Sequence, residues 1–212
     1  MILFEKLLAN VSKKPKFVHF DDPETERIFI ENWDKDGDGK ISIQEAQNID
    51  HIRYVFRNNT KVTKLNVLCF TQLKFVDNDT FAGMTSLEEI TLPGSVKLPN
   101  YVFGGWVYGV LPSIKKLVIK EGYTGDTGGL DNNIKDYVEY PSTIIKFGWS
   151  QPTLIAKYTV IKAITPPKID KASAFKGKGK LYVPNESVQA YKSAFGEISD
   201  RIFPLSECEY KL

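Results

Sequence analysis

Apolar residues follow two regimes along this chain. Ile28, Phe29 and Trp33, then Ala46, Ile49, Ile52 and Phe56, recur near helical spacing on either side of a polar stretch, which predicts helix, loop, helix. The pattern then shortens. Leu87-Glu-Glu-Ile90-Thr-Leu92 and Ile114-Lys-Lys-Leu117-Val-Ile119 share the form apolar-x-x-apolar-x-apolar, and Leu73-Lys-Phe-Val76 gives its first half. Ile144-Ile145-Lys-Phe147, Ile161-Lys-Ala-Ile164 and Leu181-Tyr-Val183 have the same character. Alternation inside each run, with Gly, Pro, Asn and Ser between runs, predicts short strands.

A second mark gives the period. Phe81-Ala-Gly83, Phe103-Gly-Gly105 and Phe175-Lys-Gly177 repeat as Phe-x-Gly; the first two lie 22 residues apart and the last two 72, about three units of 24. A strand per 20 to 29 residues is the signature of a leucine-rich-repeat solenoid. One unit cannot bury its apolar side alone, so units stack, share a core and align their strands as a parallel sheet. Each phenylalanine reads as a packing wedge at the turn. The ends of the stack need covers. The amino-terminal helices are placed to cover the first unit, and Pro184-Asn185-Glu186-Ser187 starts a closing helix with Asn185 or Ser187 as N-cap. Val188, Tyr191 and Phe195 form its apolar face, Gly196 stops it, and Ile202-Phe-Pro-Leu205 closes the chain. Residues 104–112 and 122–141 exceed the repeat length and read as inserted loops. Trp106, Tyr108, Tyr123, Tyr137, Tyr140 and Trp149 are the aromatic candidates for a ligand surface there.

The polar stretch between the first two helices carries specific chemistry. Asp34-Lys-Asp36-Gly-Asp38-Gly39-Lys40-Ile-Ser42-Ile-Gln-Glu45 matches every constrained position of a twelve-residue EF-hand loop. A hard cation takes six to eight oxygens. Asp34, Asp36 and Asp38 supply carboxylates, Lys40 its backbone carbonyl, Ser42 a direct or water-bridged contact, and Glu45 a bidentate carboxylate. Gly39 permits the sharp turn at position six. These residues are the expected Ca2+ ligands. No second such loop occurs, whereas sensor EF-hands work in pairs, so the ion reads as a structural staple. Gly125-Asp-Thr-Gly-Gly129 is only a glycine-rich turn.

Composition bounds the rest. With 212 residues the chain can bury a real core, and its net charge of +2 argues against nucleic acid or membrane binding as the main activity. The charge is uneven: residues 21–50 hold ten acids against Arg27, Lys35 and Lys40, a net of −7 that leaves +9 elsewhere. Cys69 and Cys208 are too few for a disulfide framework or a zinc site. No run approaches a membrane span, and the first residues carry no signal-peptide pattern as they stand.

Asn32 to Ala46, Thr80-Phe-Ala-Gly-Met-Thr-Ser-Leu-Glu-Glu-Ile-Thr-Leu-Pro93 and the closing run Tyr182-Val-Pro-Asn-Glu-Ser-Val-Gln-Ala-Tyr-Lys192 resemble the BspA-like leucine-rich-repeat proteins of Bacteroidetes. Thr165-Pro-Pro167 and Ala174-Phe175 agree with that family's closing unit. The resemblance covers about two thirds of the chain, and residues 104–158 depart from it. It implies a parallel-stranded solenoid exported to the cell surface, secreted or surface-held, that serves adhesion or recognition of an extracellular protein or glycan without catalysis.

The expected organisation is an amino-terminal segment over 1–20, an EF-hand-like cap over 21–60, and a leucine-rich-repeat domain with its closing helix over 61–212. Two other readings stay open. An enzyme such as a glycan hydrolase could assemble a carboxylate pair from distant residues, although His19 and His51 are the only histidines and no nucleophile-elbow, zincin or phosphate-loop motif appears. Gly177-Lys-Gly-Lys180 is basic but lacks the phosphate-loop pattern and reads as a turn between units. A calcium sensor is the other alternative.

Overall fold

A computed structural model describes residues 16–99, 102–103, 113–125, 134–147, 154–169 and 175–210. Helix α1 (Pro23–Trp33) starts where sequence chemistry favours it: Asp22 is the N-cap, its carboxylate accepts from the Thr25 N–H at 2.8 Å, and Pro23 occupies a position that has no N–H to lose. The other Asp22 oxygen reaches the sheet, accepting from the Thr63 N–H and hydroxyl, both at 2.9 Å, and from the Lys64 N–H at 3.3 Å. One carboxylate thus caps the helix and fastens it to the first strand of the stack. Its burial opposes ionisation, but the donors from Thr63, Thr25 and Lys64 outweigh that and hold its pKa below the ordinary value.

The second predicted helix is cut short. Helix α2 (Ile43–Gln47) is five residues long, and the chain continues as β1 (His51–Ile52) and a 3₁₀ turn over Tyr54–Phe56. Ile49, Ile52 and Phe56 are buried, as a helical stripe would be, but successive turns of chain deliver them rather than one helix.

The remaining strands are β2 (Lys64–Asn66), β3 (Phe75–Val76), β4 (Glu89–Leu92), β5 (Ile114–Ile119), β6 (Ile134–Tyr140), β7 (Lys146–Phe147), β8 (Tyr158–Ile161), β9 (Lys168–Ile169), β10 (Lys180–Val183) and β11 (Ile202–Pro204). Seven of them form one sheet in the order β11-β10-β8-β6-β5-β4-β2, parallel at every pairing and not closed into a barrel. Lys64, Glu89, Lys116, Tyr137, Tyr158 and Lys180 stand side by side across it, at intervals of 21 to 27 residues.

A second set of short parallel pairings joins β1 to β3 and β7 to β9. Backbone bonds extend it: the Lys74 N–H donates to Asp50 and Lys97 to Lys74, then Ile145 to Thr124 and Lys168 to Ile145. The arrangement is compatible with a stack of repeating turns. Helix α3 (Val188–Ala194) follows a 3₁₀ turn over Asn185–Ser187, with Ser187 at its N-cap position but no side-chain cap bond, and buries Tyr191 and Phe195 as expected. The chain passes from α3 into a 3₁₀ segment at Gly196–Arg201.

Several local expectations are corrected. The run read from Ile161 to Ile164 lies earlier, because β8 ends at Ile161 and Ile164 is exposed. Within the stretch read as the loop 122–141, residues 134–140 are strand β6, which pairs with β5 and β8 and buries Tyr137 to Tyr140. Tyr123, Tyr137 and Tyr140 are buried rather than displayed. Trp106, Tyr108 and Trp149, the loop 104–112 and the turn residues Asp126 to Gly129 lie outside the described residues.

One apolar cluster runs from Ile28 to Ile202 through the cap and all the strands. Its spine is a file of phenylalanines: Phe29 meets Phe56 at 5.6 Å between ring centroids, Phe56 meets Phe81 at 6.2 Å, and Phe81 meets Phe103 at 5.8 Å. Phe56 belongs to the same series as the Phe-x-Gly marks, with Asn58 in place of the glycine. Asn58 has φ +60° and Gly83 +73°, and a Cβ on Gly83 would come within 2.3 Å of the Asn58 side chain. The outer side of the sheet carries a smaller cluster, Val118, Tyr137, Val160 and Tyr182, roofed by Phe203, Leu205 and Tyr210. Tyr210 stacks on Tyr137 at 4.3 Å.

Candidate metal centre

The acidic loop begins where α1 ends. Asp34 closes the helix, its N–H donating to Ile30 at 3.2 Å. Its carboxylate turns into the loop, where one oxygen accepts from the Gly37 N–H and the other from Gly39, each at 2.8 Å. Asp36 accepts from the Asp38 N–H at 3.2 Å and Asp38 from Lys40 at 2.9 Å. Each acid is thereby held by an amide two to five residues ahead, the local bonding that Asp favours in turns. Gly37 and Gly39 sit at φ +74° and +78°, where a side chain would strain the turn.

These constraints gather charge. Oxygens of Asp34, Asp36 and Asp38 all lie within 4.8 Å of one another, so this group could hold a metal ion. The Asp38 N–H favours the ionised form of Asp36, yet desolvation and the neighbouring charges of Asp38 and Glu45 prevail and raise its pKa. A cation placed among the three would relieve that repulsion, so the residues present fit one.

Glu45 stands differently. One of its oxygens accepts from the Lys35 N–H at 2.7 Å, and the other from the Ser42 N–H and hydroxyl, both at 2.8 Å. The Ser42 hydroxyl in turn accepts from the Glu45 N–H at 3.1 Å, completing a capping box on α2. The donors from Ser42 and Lys35 hold the Glu45 carboxyl down at about 2. Glu45 therefore ties the two ends of the loop together, and Ser42 serves as its partner. The pattern Ser-x-x-Glu, visible at Ser42 and Glu45 in the sequence, is the signal for this second role. The Lys40 ammonium lies over the Phe17 ring, 4.9 Å from its centre, away from the acids.

Sequence reasoning missed the strand beside the loop. Val18 donates to the Ile41 carbonyl at 2.8 Å, Ile43 donates to Lys16 at 2.9 Å, and Phe17 bridges Ser42 in antiparallel register. A neighbouring segment of the same chain thus covers the edge of the lone loop. No helix among the described residues is long and apolar enough to cross a membrane. No family model matches the chain, and no curated protein matches it.

Proposed function

We propose that this chain is a non-catalytic recognition module of the leucine-rich-repeat type, in which Ca2+ bound at Asp34, Asp36 and Asp38 fastens the amino-terminal cap to the stack. Lys40, Ser42 and Glu45 complete the loop. The observation that carries the reading is the position of the three aspartates at the end of α1, the helix that sends Phe29 into the file of core phenylalanines. An ion there fixes the exit of α1 and so the seat of Phe29. The stacked parallel strands and the sequence resemblance support recognition of an extracellular protein or glycan, and a single loop supports a staple over a sensor.

The test is thermal melting of the whole chain in chelator and in excess calcium. An ion that binds only the folded state adds about 2.7 kcal/mol when it stands a hundredfold above its Kd. At this chain length that raises Tm by roughly 5 to 10 °C. Asp34→Ala should abolish the rise. Equal melting in chelator and in millimolar calcium overturns the staple, and a change of shape without a change of stability favours the sensor.

A further inference from the structure

Gly177-Lys-Gly-Lys180 is held far more firmly than a plain turn requires. A Cβ on Gly177 would lie 2.0 Å from the Leu154 carbonyl oxygen, and one on Gly179 would lie 1.9 Å from that of Ala156, so only glycine lets the segment lie against that backbone. The Gly179 N–H donates to Leu154 at 2.8 Å. Arg201 holds the other side, donating to the Gly177 carbonyl at 2.5 Å and, at longer range, to Phe175 at 3.4 Å and Gly179 at 3.5 Å. Leu154 and Phe175, which flank these contacts, both have left-handed backbone, φ +52° and +69°. Such strain persists only where the surroundings over-determine the conformation.

With the carbonyls turned to Arg201, the lysines face outward. Lys178 and Lys180 join Lys135 from β6 and Lys157, just before β8, around an open cleft of about 330 Å³. Ile155, 46 % exposed, and Tyr158 supply its apolar surface. Among the described residues no acid lines it and none of the four lysines forms an ion pair, although the Lys180 ammonium lies 5.1 Å from the centre of the Phe203 ring. Four like charges on a rigid frame repel one another, and an anion relieves that repulsion.

We infer that this cleft binds a sulfated glycan, with the ammonium groups of Lys135, Lys157, Lys178 and Lys180 contacting closely spaced sulfates. Lysine suits such a ligand as a set of point charges, without the planar fork that arginine offers. Single-stranded nucleic acid fits less well because it stacks bases on free aromatic faces. The nearest ring, Tyr158, is already engaged by Lys157 at 5.0 Å, Tyr182 at 5.9 Å and Tyr210 at 5.7 Å. This inference deepens the recognition reading and rests on it.

Calorimetric titration of the calcium-loaded full chain with a heparin-derived tetrasaccharide tests it. Binding should weaken as salt rises, and the pair Lys135→Gln and Lys178→Gln should lower affinity at least tenfold without changing Tm. The distant pair Lys61→Gln and Lys168→Gln should have no effect. Unaltered binding by the cleft variant, or equal affinity for inorganic pyrophosphate or a single-stranded oligonucleotide, overturns the assignment. Absence of tetrasaccharide binding overturns it as well. In that case a neutral glycan or a protein captured on an array leaves general recognition standing, whereas a blank array removes both.

Discussion

The two ends of the stack are fastened by opposite charges acting on opposite halves of the peptide unit. At the amino end the Asp22 carboxylate, 5 % exposed, gathers N–H groups from Thr25, Thr63 and Lys64. At the carboxyl end the Arg201 guanidinium, only half-buried, donates to the carbonyls of Phe175, Gly177 and Gly179. The first clamp joins a helix to a strand edge. The second leaves a lysine-bearing loop rigid and facing outward. Backbone groups freed where regular structure stops must find partners. A buried anion with four donors leaves few of them to water, whereas a half-buried cation with one short and two long bonds leaves more. The amino clamp should therefore matter more to stability, and the carboxyl clamp more to the presentation of the cleft.

Breaking the amino clamp tests the first half of that contrast. Asp22→Ala removes a charged acceptor from four donors and strands the Thr63 and Lys64 amides, at a cost of about 3 kcal/mol. In melting experiments Tm should fall by roughly 6 to 12 °C, in chelator and in calcium alike, because the loop acids Asp34, Asp36 and Asp38 are untouched. A loss confined to one condition would mean that Asp22 acts through the metal centre. Arg201→Met keeps most of the packing and removes the carbonyl bonds, costing about 1.5 kcal/mol, or roughly 3 to 6 °C. Hydrogen exchange of the Gly179 amide should quicken by more than that of the Val118 amide in β5. Equal quickening would show that Arg201 supports the whole sheet and not the loop.

What the sequence disclosed follows from how local each signal is. The acidic loop was legible because its whole pattern lies within twelve residues: its three aspartates come together, and Gly37 and Gly39 take the left-handed backbone that such a turn demands. The Phe-x-Gly period was legible for the same reason, since the mark and the turn at Phe81–Gly83 are one local unit. Phe56 escaped it because Asn58 adopts the left-handed conformation that a search for glycine passes over. The overlong second helix arose because Ile49, Ile52 and Phe56 keep a helical interval while the chain leaves α2 at Asn48 to pair β1 with β3. Burial interval and hydrogen bonding are separate properties, and spacing reports only the first. Tyr137 was misplaced because Tyr210, which stacks on it, lies 73 residues further on, and no local pattern announces that contact. The Asp22 bridge to Thr63 and the Arg201 clamp were likewise invisible, each being a contact between segments more than 20 residues apart.

The smallest test concerns a partly buried carboxylate beside the amino clamp. Glu24 accepts from Arg27 at 2.7 and 2.9 Å and from the Asn59 side chain at 2.8 Å, linking α1 to the turn that follows Phe56. These partners, Arg27 foremost, hold its carboxyl at about 2, below its ordinary 4.5. A carboxyl depressed by folding binds fewer protons in the folded chain than in the unfolded one, so its contribution is complete above pH 4.5 and disappears as pH falls toward 2. In chelator, Tm should therefore decline through that window, with Asp22 and Glu45 steepening the decline because their pKa values are also lowered. Glu24→Gln should lower Tm slightly at pH 7 and flatten the acid limb, the two variants converging near pH 2. High salt should shrink the difference, since the Arg27 side of the pair is exposed and screened. An unchanged limb in the Gln variant would show that Arg27 and Asn59 hold Glu24 no more tightly in the folded chain than water does, and that the amino clamp reaches no further than Asp22.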